Sequence, residues 1–167
     1  VREAGHQAGR HARAGARAGD DLYVTGTLGG ASAGLRTLRA DRHRADTLAM
    51  RYLRPEPRTR FGLMLGRNGA ARACIDLSDG LADGVRQIGE ASGLGAIVDA
   101  DALPIEEGAT LRDALGGGED YELLFAVSPR MSSRLNSVRR LVKGLSVTRI
   151  GRLTPDRAML LSRDGST

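Results

Sequence analysis

The chain of 167 residues contains one cysteine and no tryptophan, and aromatic residues make up only 3% of it. The single cysteine, Cys74, cannot form a disulfide within the chain. Its position in the apolar segment ARACIDL predicts a small buried core residue rather than a nucleophile. The scarcity of aromatic side chains argues against the stacking platforms that bind single-stranded nucleic acid or RNA. It leaves open a duplex binder that contacts phosphates alone.

Long apolar segments are absent as well. No run approaches the roughly 20 apolar residues that span a bilayer. The basic N-terminal segment is not followed by an apolar one, so no signal peptide is predicted. We therefore expect no membrane partner and a cytoplasmic location. The net charge of +5 and the pI near 10.3 indicate anionic partners, either nucleic acid or phosphorylated small molecules.

The length of the chain suits one domain with a sizeable core. Residues 1–19 are rich in Ala, Gly and Arg without apolar periodicity, which predicts an arginine-rich arm or linker. Residues 20–167 alternate β-prone and helical segments, and this order predicts an α/β or α+β domain with a mixed sheet. Both ends of the chain interrupt a pattern, so we expect a truncated piece of a longer protein.

Six strands separated by helices are predicted. The strand segments include DLYVTG, AARACIDL, VTRIGRL and RAMLLS. GAIVDADALP is predicted as a strand followed by a turn, and GGGEDYELLFAV as a glycine loop that runs into a strand. The helical segments are GGASAGLRTLRA, ADTLAMRYLR, TRFGLMLGRNG, LADGVRQIGEASG, EEGATLRDAL and PRMSSRLNSVRRLVKG. The second helix must end near Arg54, because Pro55 and Pro57 break it.

Three aspartates and a serine are concentrated in the segment ACIDLSDGLADGV, where a strand should give way to a helix. One interpretation is a Mg²⁺ site, because Asp76 and Asp79 would lie at the carboxyl end of a strand and supply hard oxygen ligands. The other is helix capping, which accounts for Ser78 or Asp79 and for Asp83. Capping does not account for Asp76, a carboxylate at the end of an otherwise apolar strand. The spacing alone leaves both interpretations open.

Two further segments carry candidate binding groups. GGGEDYELL places three glycines before the acidic pair Glu119 and Asp120, so either a tight turn or a close approach to a ligand is predicted. Arg13 and Arg17 precede the first strand, where a guanidinium group could bind a phosphate or simply remain solvated. The pair His6 and His11 lacks acidic or cysteine neighbours and makes a poor metal site.

Four segments together resemble the C-terminal portion of the thiamine-monophosphate kinase family, within the superfamily of aminoimidazole ribonucleotide synthetase. They are RAGARAGDDLYVTGTLGGASAGL, RYLRPEPRTRFGLML, IDLSDGLADGVRQIGEASGLGAIVD and ALGGGEDYELLFAV. The similarity covers about residues 13–161, and DLSDGL followed by GGEDYEL is specific to this kinase family. The resemblance implies a mixed sheet with helices packed mainly on one face.

The resemblance also implies ATP-dependent phosphorylation of thiamine monophosphate to thiamine diphosphate, by direct phosphoryl transfer assisted by Mg²⁺. Such a reaction requires phosphate positioning and charge neutralisation more than covalent chemistry. By position in the motifs, Asp76 and Asp79 correspond to Mg²⁺ ligands. Ser78 and Arg13 correspond to ATP contacts, and Glu119 corresponds to a contact with the thiamine phosphate.

Members of this family also have an N-terminal domain with further Mg²⁺ ligands, ATP contacts and the sheet that forms a homodimer. These parts lie outside the sequence, since the pair Asp20 and Asp21 belongs to the segment that follows that domain. We therefore expect the 167 residues alone to be folded but inactive. Asp83 matches no family ligand and keeps the capping interpretation.

Two alternatives to this kinase stay open. The first is a non-catalytic module that binds phosphate or nucleic acid through the basic N-terminal arm, although the lack of aromatics makes nucleic acid an unfavourable partner. The second is a sister enzyme of the superfamily that acts on another phosphorylated substrate. The segment GGEDYEL argues against the sister enzyme.

Overall fold

A computed structural model describes residues 13–41, residue 43 and residues 46–163. The strands are β1 (Asp21–Thr25), β2 (Ala73–Asp76), β3 (Gly95–Asp99), β4 (Leu123–Val127), β5 (Val147–Thr154) and β6 (Met159–Ser162). The helices are α1 (Gly30–Ala40), α2 (Thr47–Leu53), α3 (Thr59–Arg67), α4 (Leu81–Ser92), α5 (Leu111–Gly116) and α6 (Ser132–Leu141), with a 3₁₀ turn at Pro129–Met131. Each predicted strand and helix is present.

The six strands form one mixed sheet in the order β2-β4-β1-β5-β3-β6. The neighbouring pairs from β2 to β3 are antiparallel, and β6 pairs with β3 in parallel. The pairing brings the end of β1 beside the beginnings of β4 and β5, with Val24 opposite Leu124 and Thr25 opposite Val147. Asp76, the last residue of β2, pairs with Leu123, the first residue of β4, so it lies at the same end of the sheet as these strand termini.

Alternating side chains of the central strands build two separate cores, because successive residues of a strand point to opposite faces. On one face, Leu22 and Leu124 join the buried residues of α4. On the other face, Cys74 and Phe125 pack against the buried residues of α3 and α6. The mixed sheet is confirmed, and the structure refines the expected placement of the helices, since both faces are covered.

The predicted boundary between arm and domain falls at Gly19. Residues 1–12, which include His6 and His11, lie outside the described residues. Ala16 is buried in the core beside α4, and the Gly19 N–H donates to the Leu153 carbonyl. The described end of the arm is therefore attached to the domain. Among the described residues, no helix is long and apolar enough to cross a membrane.

Candidate active site

Asp76 lies where β2 leaves the core. The three residues before it are buried, whereas Asp76 itself is exposed at the edge of the sheet. The last residue of the strand therefore presents a carboxylate to solvent, as the sequence predicts. Cys74, two residues earlier, is buried, and burial together with the Asp76 charge raises the pKa of its thiol to about 12. Such a thiol stays protonated, which supports a structural role for Cys74.

The turn after β2 does not cap α4 with a side chain. The N-cap residue is Gly80, with a positive φ of 96°, and no side chain accepts a hydrogen bond from the helix N-terminus there. A Cβ at Gly80 would lie 2.9 Å from the Gly117 carbonyl oxygen, so the position requires glycine. Ser78 and Asp79 contact each other, with the Ser78 hydroxyl 3.4 Å from the Asp79 carboxylate. The capping interpretation is therefore wrong for these two residues.

Asp83 behaves as the sequence suggests for a helix start. It lies in the first turn of α4, where an acidic group complements the helix dipole. Its carboxylate accepts hydrogen bonds from Arg86 and Gln87 of the same helix. The hydrogen bond from Arg86 is the main reason that the pKa of Asp83 lies below its usual value. Asp83 is thus engaged within its own helix.

The GGGED loop lies directly against the turn after β2. The Glu119 N–H donates to the Ser78 carbonyl at 2.9 Å, and the Tyr121 N–H donates to the Leu77 carbonyl at 3.1 Å. A Cβ at Gly118 would lie 2.3 Å from the Ser78 carbonyl oxygen, so a side chain there would separate the two loops. The two motifs, about forty residues apart in the chain, form one surface.

Asp120 anchors the loop from inside the domain. It is buried, and its carboxylate accepts hydrogen bonds from the N–H groups of Gly29 at 2.6 Å and Ala31 at 3.0 Å. These groups open α1, so the negative charge lies at the positive end of the helix dipole. Burial raises the pKa of Asp120, and the two backbone hydrogen bonds oppose that rise.

Glu122 is the second anchor and is fully buried. Arg58 donates to both of its carboxylate oxygens, from Nε at 2.8 Å and from Nη2 at 2.7 Å. The Thr25 hydroxyl donates to Glu122 at 2.6 Å, and Arg51 approaches it at 3.4 Å. The hydrogen bond to Glu122 is the main reason that the pKa of Arg58 is raised, so the guanidinium group stays charged.

Sequence reasoning missed Glu122, Arg58 and Arg51. The available signal was Glu122 itself, a carboxylate immediately before the apolar strand segment LLFAV. A charged group buried at that position requires a partner. The segment RYLRPEPR held the candidates for that partner, but the sequence does not show which arginine turns inward.

Glu119 and Tyr121 lie on the outer side of the loop, where Glu119 is exposed and Tyr121 is half-buried. They are the non-glycine residues with positive φ in the described part of the chain, at 70° and 51°. The neighbouring Glu119 carboxylate is the largest cause of the raised pKa of Tyr121, and the negative charges of Asp76 and Asp79 raise that pKa further.

We call Asp76, Asp79 and Glu119 the acidic face. Within the part of the chain that the structure describes, none of the three forms a salt bridge with Arg or Lys. A cavity of about 490 Å³ lies between α3 and the loop after α6, but none of the acidic face lines it. The acidic face is thus an open surface with uncompensated negative charge.

The acidic face does not by itself complete a metal centre. No group of three or more His, Cys, Asp or Glu side chains is placed to hold a metal among residues 13–41, 43 and 46–163. Asp76 and Asp79 nevertheless offer exposed carboxylate oxygens, the donors that Mg²⁺ prefers. Mg²⁺ usually retains water and binds substrate phosphates, so one or two carboxylates are a sufficient protein contribution.

The side chain of Arg13 is exposed. The lowered pKa of Asp83 is caused mainly by the hydrogen bond from Arg86, and the charge of Arg13 adds a minor contribution. Of the other arginines of the predicted basic arm, Arg17 is exposed, whereas Arg2 and Arg10 lie outside the described residues.

Comparison with known proteins gives a consistent picture. Residues 17–161 match the family described as AIR synthase related protein, C-terminal domain. The chain is 42% identical to the thiamine-monophosphate kinase of Salmonella typhimurium over 167 residues, which cover 92% of this chain and 50% of that protein. It is 41% identical to the enzyme of Escherichia coli K12, with the same coverage. The chain thus spans about half the length of the curated relatives it matches.

Solved structures show the same similarity. The thiamine-monophosphate kinase of Stenotrophomonas maltophilia superimposes with a TM-score of 0.81 at 35% identity, over 93% of this chain and 53% of that one. The structure described as AaThiL complexed with AMPPCP and TMP gives a TM-score of 0.76 at 30% identity, over 89% and 49%. Escherichia coli HypE, a hydrogenase maturation protein, has the same fold at 22% identity with a TM-score of 0.76.

Proposed function

The chain belongs to the AIR synthase related family, whose C-terminal domain it contains, and on that premise we propose that it serves in the ATP-dependent phosphorylation of thiamine monophosphate to thiamine diphosphate. We infer the substrates from the relatives that are named as thiamine-monophosphate kinases. It also rests on the two motifs through which the sequence resembles that family.

The observation that carries the proposal is the junction between the turn after β2 and the GGGED loop. Glu119 donates from its N–H to the Ser78 carbonyl, so the two motifs share one surface. That surface holds three carboxylates without a salt bridge to a basic side chain in the described residues. Three carboxylates would repel the phosphates of ATP unless a cation lay between them.

Asp76 and Asp79 are the residues that would hold Mg²⁺. When bound, Mg²⁺ would supply positive charge that offsets the negative charge of the transferring phosphoryl group. The aspartates suit this role because they are exposed and are not used in capping α4. The remaining ligands of the ion would come from phosphates and water, in keeping with the behaviour of Mg²⁺.

Ser78, Arg13 and Glu119 would position the two substrates. Among the described residues, Asp79 is the one side-chain hydrogen-bond partner of the Ser78 hydroxyl, at 3.4 Å, so the hydroxyl could rotate toward a phosphate oxygen of ATP. Arg13, which is exposed, would provide a guanidinium group for another. The Glu119 carboxylate would bind the thiamine phosphate, whose cationic thiazolium ring attracts an anion. Transfer then requires only alignment and charge neutralisation.

We also expect the 167 residues alone to lack turnover, since two carboxylates are a partial ligand set for an ATP–Mg²⁺ site. The homodimer that the family resemblance implies also remains a prediction for the whole protein.

The test is a coupled ADP-release assay on the protein expressed from the full reading frame, with thiamine monophosphate, ATP and Mg²⁺. Asp79→Asn should lower kcat/KM by about 100-fold or more, because it removes one electrostatic contact to the transition state. Asp156→Asn, the same change at an exposed position between β5 and β6, is the matched control and should leave it unchanged. Failure of the unsubstituted protein to phosphorylate thiamine monophosphate would refute the proposal.

A further inference from the structure

The part of the chain from β4 through β5 carries charge of one sign. Residues 123–155 contain six arginines and Lys143 but no aspartate or glutamate, and Lys143 is the only lysine of the sequence. Lys143 belongs to the loop between α6 and β5, which lies across a cavity from the start of α3 with Arg58 and Arg60. Positive charge is thus concentrated at a place that the proposed function does not use.

The cavity of about 490 Å³ lies within this basic region, and we call it the basic cavity. Its walls come from the turn after β1, from the start of α3 and from residues 142–146. The Gly26 N–H donates to the Ser146 carbonyl at 3.0 Å, and Arg60 donates to the Leu141 carbonyl at 3.4 Å, so hydrogen bonds join the walls. Pockets that bind small molecules have volumes of about 300–1,000 Å³. The basic cavity is therefore large enough for a small organic ligand.

The basic cavity has two cations to offer to a ligand. Of the basic side chains that line it, Arg58 is already paired, with Glu56 at 2.8 Å and with the buried Glu122 at 2.7 Å. Within the ranges that the structure describes, Arg60 and Lys143 form no salt bridge with a carboxylate. An anion that enters the cavity would therefore meet two positive charges that are not already neutralised.

Apolar side chains complete the lining. Phe61 is buried in the core beneath the cavity, and Val142 and Leu145 pack against the same core while lining the cavity. A bare inorganic anion would leave these apolar groups in contact with water. An organic phosphate would cover them with its organic part and place its charge beside the cations.

We propose that the basic cavity is a second binding site, separate from the acidic face, and that it takes a small organic phosphate. Arg60 and Lys143 bind the phosphate group, and the organic part lies against Val142 and Leu145. The inference goes beyond the proposed function, because the basic cavity and the acidic face share no residue.

Pyridoxal phosphate is a suitable probe, because it is an organic phosphate with an aldehyde. The aldehyde condenses with the Lys143 amine to an imine and releases water, and borohydride then reduces the imine to a stable secondary amine. Trypsin cleaves after arginine, so the labelled peptide is residues 141–149. Methylation of the same amine by formaldehyde and cyanoborohydride measures its reactivity toward an aldehyde without phosphate. The readout is the ratio of the two labels at Lys143 in the protein expressed from the full reading frame.

The ratio should fall by about tenfold in Arg60→Gln, the factor that one hydrogen bond to a charged group supports. Arg67→Gln is the matched control, because Arg67 is an exposed arginine of the same helix that does not line the cavity, and it should leave the ratio unchanged. A ratio in Arg60→Gln equal to that of Arg67→Gln overturns the inference.

A competition experiment separates binding from screening. Inorganic pyrophosphate should protect Lys143 from pyridoxal phosphate more strongly than sodium chloride of the same ionic strength, since screening by salt does not depend on a specific site. Equal protection by the two salts overturns the inference. Neither readout requires phosphorylation of thiamine monophosphate, so a failure of the proposed function is recognised separately by the ADP-release assay.

Discussion

Replacement of Arg58 by methionine should remove the main partner of a fully buried carboxylate. Glu122 has no exposed surface, and Arg58 supplies two of the donors to it, at 2.8 Å and 2.7 Å. Methionine fills a similar volume without charge, so the variant leaves Glu122 with the Thr25 hydroxyl and the more distant Arg51 guanidinium. The perturbation therefore tests whether this pair holds the loop that carries Glu119.

The expected loss follows from the burial. Breaking a buried ion pair by removal of one partner costs about 3–5 kcal/mol, because the remaining charge is uncompensated. Arg51 stays 3.4 Å from Glu122, so we expect the lower end, about 3 kcal/mol of the free energy of unfolding. For a protein of this size that corresponds to a fall in Tm of about 6–12 °C. Urea denaturation monitored by circular dichroism measures the free energy, and a thermal scan measures Tm.

A double variant and a surface control make the test specific. Arg58→Met combined with Glu122→Gln should be more stable than Arg58→Met alone, since the unpaired charge is then removed as well. Arg86→Met breaks two ion pairs, with Asp83 and Glu90, in which the Arg86 side chain is 51% exposed, and it should destabilise the protein much less than Arg58→Met. The reasoning is wrong if Arg58→Met unfolds within about 0.5 kcal/mol of the parent, or if the double variant is no more stable than the single one.

The remaining predictions concern a turn and the acid limit of stability. Gly26→Ala should lower the free energy of unfolding by at least about 2 kcal/mol more than Gly93→Ala. Both glycines have positive φ, but only at Gly26 would the new Cβ meet Glu122, at 2.1 Å. Equal losses of the two variants in urea denaturation would contradict this close approach. The hydrogen bond from Arg36 is the main reason that the pKa of Asp113 is lowered in the folded protein. Asp113 therefore contributes stability at pH values above its unfolded pKa of about 3.9. This contribution is lost as the pH falls below that value. Asp113→Asn should accordingly flatten the decline of Tm between about pH 5 and pH 2, and an unchanged decline would show that Asp113 is not responsible.

Most of the fold could be predicted from the sequence. The apolar periods of the strands and helices and the stops at Pro55 and Gly93 are local features, and the structure has the elements where they indicate. The position of Asp76 at the end of a buried strand could also be predicted from its neighbours in the sequence. The change from buried to exposed residues occurs within one residue there.

The sequence did not determine the backbone conformation of the GGGED loop. Exposed and buried residues alternate from Glu119 to Glu122 as they would in a strand. Glu119 and Tyr121 nevertheless have the positive φ that a regular strand lacks. The positive φ values are stabilised by groups distant in sequence, namely the start of α1, Arg58 and the turn after β2. Long-range contacts of this kind leave no periodic signal in the sequence.

The choice between capping and ligand binding for Ser78 and Asp79 also required the tertiary structure. Both residues have the side chains of helix caps, so the segment alone favoured capping over a metal site. The close approach of Gly80 to the loop after α5 makes glycine the N-cap and leaves both polar side chains outside the helix. The sequence by itself thus determined the elements and the types of functional group, because these depend on neighbours along the chain. Only the tertiary structure decided which of those groups share a surface, because that depends on strand order and on buried partners far apart in sequence.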